Sequence, residues 1–169
     1  MWTCATCGES HEGLATVFGA DAPESWMTAT WRQRRRGELG ADQCIVTLDG
    51  TTHYFIRGHV QIPIVDTDEV FAWSVWCSPS GDSMRTTAEH WDDPQRDQLP
   101  PMFGWLNTAL PYREPTLSIP THVHTRAPGS VPLIELDPGI DHELVREQQE
   151  GITWHRVGEI NATLLGTGA

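Results

Sequence analysis

The amino-acid sequence predicts an α+β fold: a mostly antiparallel sheet flanked by helices, with a small zinc knuckle at the N-terminus. Three observations carry this expectation. Asp49-Gly50 sits between two β-prone runs, a strong hairpin signal. Residues 70–77 alternate regularly enough to read as a strand with two defined faces. Helix start and stop signals gather near residue 23 and beyond residue 141.

Taken in order, residues 1–20 read as a knuckle and loop rich in Gly, Ala and Thr, packed on an α+β body over 21–169, all within one domain. Pro23 suits the first position of a helix and Glu24 its first turn. That helix is expected to run to Arg36 and stop at Gly37. Arg32, Arg34, Arg35 and Arg36 then complement the dipole at its C-terminal end. Residues 45–48 and 52–56 are the hairpin arms. Residues 60–64 continue extended, with Pro63 placing them at an edge or bulge. In the strand over 70–77, Phe71, Trp73, Val75 and Cys77 share one face, and Val70, Ala72, Ser74 and Trp76 share the other. Residues 79–91 are predicted helical, with Ser78 as N-cap and Pro79 in first position. Residues 92–101 form a polar loop, 117–126 and 133–136 two further strands, 141–150 a helix capped by Asp141, and 153–165 a last helix.

Composition narrows the function. The chain has 169 residues and a net charge of −12. A surface this acidic repels phosphate, which argues against nucleic acid and anionic membranes as partners. All 11 basic residues are arginine. The absence of lysine excludes a P-loop and a pyridoxal phosphate enzyme, both of which need that amine. The N-terminal residues show no charged segment followed by an apolar core, and no window reaches membrane-spanning length. A cytoplasmic protein is therefore expected. In that reducing compartment the four cysteines point to metal or redox chemistry before disulfides.

The metal candidate is Cys4-Ala-Thr-Cys7-Gly8. Two residues between thiolates let both sulfurs reach one tetrahedral ion, and the glycine lets backbone amides turn toward them. His11 lies four residues further on, within reach as a third ligand. A redox dithiol is the weaker alternative, because such pairs follow a strand at a helix start. An inert pair and half of an intermolecular site are the others.

Cys4-x-x-Cys7-Gly8-x-x-His11, followed by Phe18-Gly-Ala-Asp-Ala-Pro23, resembles the opening of the bacterial domain-of-unknown-function 2199 (DUF2199) family. The resemblance continues through Arg36-Gly-Glu-Leu39, Asp42-Gln-Cys44, Phe55-Ile-Arg-Gly58 and Ile62-Pro-Ile64. It resumes at Trp73-Ser-Val-Trp76, Pro101-Met-Phe-Gly-Trp105-Leu106, Val123-His124-Thr-Arg126, Ile134-Glu-Leu-Asp137, Asp141-His142 and Glu147-Gln148. It implies a structural zinc held by Cys4, Cys7, His11 and the distant Cys44, with His59 or Cys77 as alternatives for the fourth position. It implies no activity.

A second constellation lies further along. His122 and His124 are two apart on a predicted strand and so share a face. With Glu135 and His142 they are candidates for a second, catalytic metal site, although structural histidines are commoner. Arg57 follows an apolar run and needs a carboxylate, with Glu135 or Asp137 as partner, or else binds an acidic ligand group. Trp73, Trp76, Trp91 and Trp105 are expected to pack the sheet; a pocket lined by Trp73 and Trp105 near Arg57 and His124 is the functional alternative. No nucleophile elbow and no dinucleotide fingerprint is present. The sequence thus supports a zinc-stabilised, non-catalytic interaction protein, regulatory or immunity-like, with a protein partner. The alternative is a small-molecule enzyme or binder using Arg57, His124, Glu135 and His142.

Overall fold

Asp49 and Gly50 both adopt positive φ, 48° and 79°, the backbone that a two-residue hairpin needs to match strand twist. The computed structural model describes residues 13–166, together with the backbone of residues 2–3 and 10–11. In chain order the strands and helices are β1 (Trp2–Thr3), β2 (Ser10–His11), β3 (Val17–Gly19), α1 (Glu24–Met27), α2 (Trp31–Arg36), β4 (Glu38–Leu39), β5 (Gln43–Leu48), β6 (Thr51–Pro63), β7 (Val70–Pro79), α3 (Gly81–Glu89), β8 (Met102–Leu106), β9 (Pro120–His124), β10 (Leu133–Leu136), α4 (Glu143–Glu150) and α5 (Trp154–Leu165). Among the described residues no helix is long and apolar enough to cross a membrane.

The class is α+β, as expected, but the sheet closes on itself. Strands β6 to β10 run as an antiparallel meander, and β10 returns to pair with β6. An odd number of alternating strands forces the closing pair to be parallel, and Leu133 indeed lies beside His59 in parallel register. The result is a five-stranded barrel. It is extended on one side by β5 and β4, and on the other by β3, which lies parallel to β7.

Period-two alternation fills the barrel. Ile56, Val60 and Ile62 of β6 face Cys77, Trp73 and Phe71 of β7 in register, and all are at most 1% exposed. Val75, Leu106, Val123, Ile134 and Leu136 complete the interior, and α3, α4 and α5 add Met84, Leu144, Val145, Val157 and Ile160 to the same core. Gly58 is required where β6 meets β10, because a Cβ there would lie 2.5 Å from Ile134 Cδ1. A second, smaller core forms outside the barrel. Cys44, Val46, Phe55 and Trp76 are buried there beneath Trp26 and Ala29.

Several elements depart from the sequence reading. The helix expected over 23–36 is two, because Thr30 starts a new capping box with Gln33, which halts one helix and opens the next. Residues 60–64 are not a separate edge segment but the continuation of β6 against β7. Strand β7 extends through Pro79, so Ser80 rather than Ser78 caps α3. His142 rather than Asp141 caps α4. Strand β8 was not expected at all.

Candidate functional site

The same alternation that fills the barrel points Arg57, His59 and Gln61 of β6 outward. Register sets Trp76 beside Arg57, Ser74 beside His59 and Ala72 beside Gln61. On the other side of β6, His59 faces Leu133, which in turn faces His124. Glu135 and His122 pair directly across β10 and β9. The outer barrel face therefore carries a polar strip from β7 across β6 and β10 to β9.

Two adjoining clefts share His59 as a wall. One, roughly 420 Å³, is lined by Arg57, His59, Ser74, Asp21, Asp42 and Phe18, among others. The other, roughly 430 Å³, is lined by His59, Gln61, His124, Leu133, Glu135 and Gln148, among others. Arg57 makes three contacts. Its Nε donates to Ser74 Oγ at 2.8 Å, Nη1 donates to the Ala41 carbonyl at 3.4 Å, and the guanidinium lies 5.8 Å from the Trp76 ring centroid. Neither Glu135 nor Asp137 pairs with it, contrary to expectation. Glu135 is taken by His124, whose Nε2 lies 2.8 Å from Glu135 Oε2. Among the described residues no carboxylate lies within ion-pair distance of Arg57, Arg126 or His59. Burial pushes the His59 imidazole below its ordinary value, and the Arg57 and Arg126 guanidiniums push it the same way.

The remaining predicted site residues go elsewhere. His142 is buried at the start of α4. Its Nδ1 accepts from Leu144 N at 3.0 Å, which leaves Nε2 to donate to the Glu114 carbonyl at 3.1 Å. Both nitrogens are occupied, so it belongs to the α4 cap and not to the His124–Glu135 pair. Trp73 is 1% exposed, and its Nε1 donates to Tyr112 Oη at 2.9 Å. Tyr112 Oη donates in turn to Glu147 Oε2 at 2.5 Å, and Arg156 Nε donates to Glu147 Oε1 at 2.8 Å. That chain ties the loop after β8 to α4 and α5. Trp105 does not pack under the sheet: it is 48% exposed and sits edge-on to Phe103 at 5.0 Å. Trp91 stacks with Arg96 at 4.8 Å. Only Trp73 and Trp76 of the four expected packing tryptophans are fully buried.

Cys4 and Cys7 lie outside the described residues, and for His11 only the backbone is described, paired with Trp2. Among the described residues no group of three or more His, Cys, Asp or Glu side chains is placed to hold a metal. This includes the proposed pairing of His122 and His124 with Glu135 and His142. Cys44 is surrounded by Val46, Phe55, Trp76 and Trp26, and burial pushes its thiol up to about 11. Cys77 lines the barrel interior, its thiol pushed up to about 12 by burial. Among the described residues neither thiol belongs to a group of three or more potential metal ligands.

The sequence reading found Arg57, His124 and Glu135, but missed Ser74, Gln61 and Gln148, and considered His59 only as a zinc ligand. The alternation Arg57, His59, Gln61 was the available signal.

A family model described as "Uncharacterized protein conserved in bacteria (DUF2199)" matches residues 3–152. No curated protein and no solved structure matches the chain.

Proposed function

The chain belongs to the DUF2199 family of proteins conserved in bacteria, and within that family we propose for it the role of a non-catalytic binding protein that takes a small molecule by an anionic group at Arg57 and His59. The observation that carries this reading is a fixed, half-buried cation with no carboxylate partner among the described residues. Arg57 spends Nε and one Nη1 proton on Ser74 and Ala41, so the outer edge of its guanidinium is left for a planar acid. The net charge of −12 opposes this only weakly, since charges beyond about 8 Å are screened at physiological salt. Catalysis is not part of the proposal. His124 has only Glu135 as hydrogen-bond partner among the described residues, and the described thiols are buried.

The test is thermal unfolding of the full chain with a panel of simple carboxylates and with inorganic phosphate. A probe at a hundredfold excess over Kd stabilises by about 2.7 kcal/mol, or about 5–10 °C for a chain of this size. Arg57→Gln removes the shift. If no probe gives a saturable shift, the reading fails.

A second reading, of a structural zinc and an N-terminal interaction surface, is supported by one observation. Trp2–Thr3 pairs antiparallel with Ser10–His11, and both Cys4 and Cys7 fall between those strands in sequence. Two residues between cysteines is a spacing at which both thiolates reach one tetrahedral ion. Elemental analysis tests it: one zinc per chain, lost in Cys4→Ser/Cys7→Ser, is expected, and metal-free native protein overturns it.

A further inference from the structure

The cleft at Arg57 holds charges of both signs that do not pair with each other. Arg57 and His59 lie on β6, Asp21 follows β3, and Asp42 precedes β5. All four line the same space of roughly 420 Å³. Among the described residues neither Asp21 nor Asp42 has an ion-pair partner, and Arg57 has none either. The chain holds these groups in place through its backbone. Arg57 N donates to the Asp42 carbonyl at 2.9 Å, and Ala20 N donates to the Ser74 carbonyl at 3.3 Å. Gly19 lets β3 approach so closely that a Cβ there would lie 2.5 Å from Ser74 Cβ, which fixes the wall carrying Asp21. Val17 and Val131 supply apolar lining.

A simple anion satisfies Arg57 but meets two carboxylates. A simple amine satisfies the carboxylates but meets Arg57. A molecule carrying both charges on neighbouring atoms satisfies both walls at once. Resting on the binding role proposed above, we infer that the ligand class is a small zwitterion, an α-amino acid with an apolar side chain, its carboxylate on Arg57 and its ammonium between Asp21 and Asp42. The apolar lining receives the side chain.

The experiment is calorimetric titration of the full chain with L-valine, L-leucine and L-phenylalanine. For valine, the controls are 3-methylbutanoate, which lacks the amine, and isobutylamine, which lacks the acid; the other two have equivalent pairs. The amino acid that binds best should do so at least about tenfold more tightly than its amine-free acid, the worth of one hydrogen bond to a charged group. Asp21→Asn/Asp42→Asn should bring that ratio to about one without weakening the acid, because it removes repulsion as well as attraction. Both aspartates are exposed, and an unliganded Tm matching the parent verifies that the variant folds. Arg57→Gln should abolish binding of amino acid and acid alike. Equal affinity for amino acid and amine-free acid overturns the zwitterion while leaving the anion role intact. A preference that survives the double substitution overturns the placement of the ammonium. Absence of binding by every probe overturns this inference and the binding role together.

Discussion

The outward face of β6 and β7 meets two different fates along its length. At one end Phe55 and Trp76 lie beneath Trp26 of α1, sealed with Cys44 and Val46 of the neighbouring β5 and essentially free of solvent contact. One register step further, Arg57, Ser74 and His59 look onto open clefts. Both sets obey the same alternation. Alternation decides which way a side chain points, but covering that direction is a matter of topology. Where α1 and α2 arrive, large apolar groups are buried; where the described residues leave a cleft, charged and polar groups line it.

Breaking the sealed end should have the largest effect. Trp76→Ala removes a ring with no exposed surface, along with its N–H bond to the Ala20 carbonyl at 3.0 Å. A loss of about 3–5 kcal/mol in denaturant unfolding is expected. A loss under about 1 kcal/mol would mean the second core is not a core. Inside the barrel, Gly58→Ala forces a methyl against Ile134 and should cost about 1–3 kcal/mol by overpacking. Tyr112→Phe should cost about 1–3 kcal/mol as well, because Trp73 N–H loses its acceptor in a half-buried site.

At the open end the expected effects are smaller and depend on pH. His59 titrates below its ordinary value through burial first, then through Arg57 and Arg126. A proton on this ring is therefore disfavoured in the folded state relative to the unfolded one. The stability linked to it is fully present above the unfolded value of about 6.5 and is lost as pH falls through the lowered folded value. Asp21 and Asp42 share its cleft, and His124 and Glu135 the adjoining one. His59→Gln should flatten this segment of the stability–pH curve, and an unchanged slope would assign the segment to another group. The smallest expected signal is chemical. With Cys4→Ser/Cys7→Ser as background, the buried Cys44 and Cys77 thiols should label with a disulfide reagent only as fast as the protein unfolds. Immediate labelling would open the seal around Cys44.

Much of this contrast was legible beforehand. The faces of residues 70–77, the Asp49-Gly50 turn and the two C-terminal helices follow from local pattern alone. The closure of the barrel does not, because it depends on Leu133 meeting His59 across more than 70 residues, and periodicity carries no information about that partner. Strand β8 was hidden by inversion. It buries Met102, Gly104 and Leu106 while exposing Phe103 and Trp105, so the large aromatics lie on the side where polar residues are expected. The site was half visible for the same reason. His124 and Glu135 were recognisable as chemistry, whereas only the β9–β10 register sets them 2.8 Å apart.

The parallel closure has one further effect. Strands β6 and β7 hold each other through the register from Ile56 with Cys77 to Pro63 with Val70. Among the described residues the seam between β10 and β6 rests on one register pair, Leu133 with His59, and on a bond from His59 N to the Pro132 carbonyl at 2.8 Å. In amide hydrogen exchange this short join is where the hoop should breathe first. Because His59 belongs both to the join and to the two clefts, a molecule seated as proposed should clamp the hoop shut and slow exchange along the staves on either side.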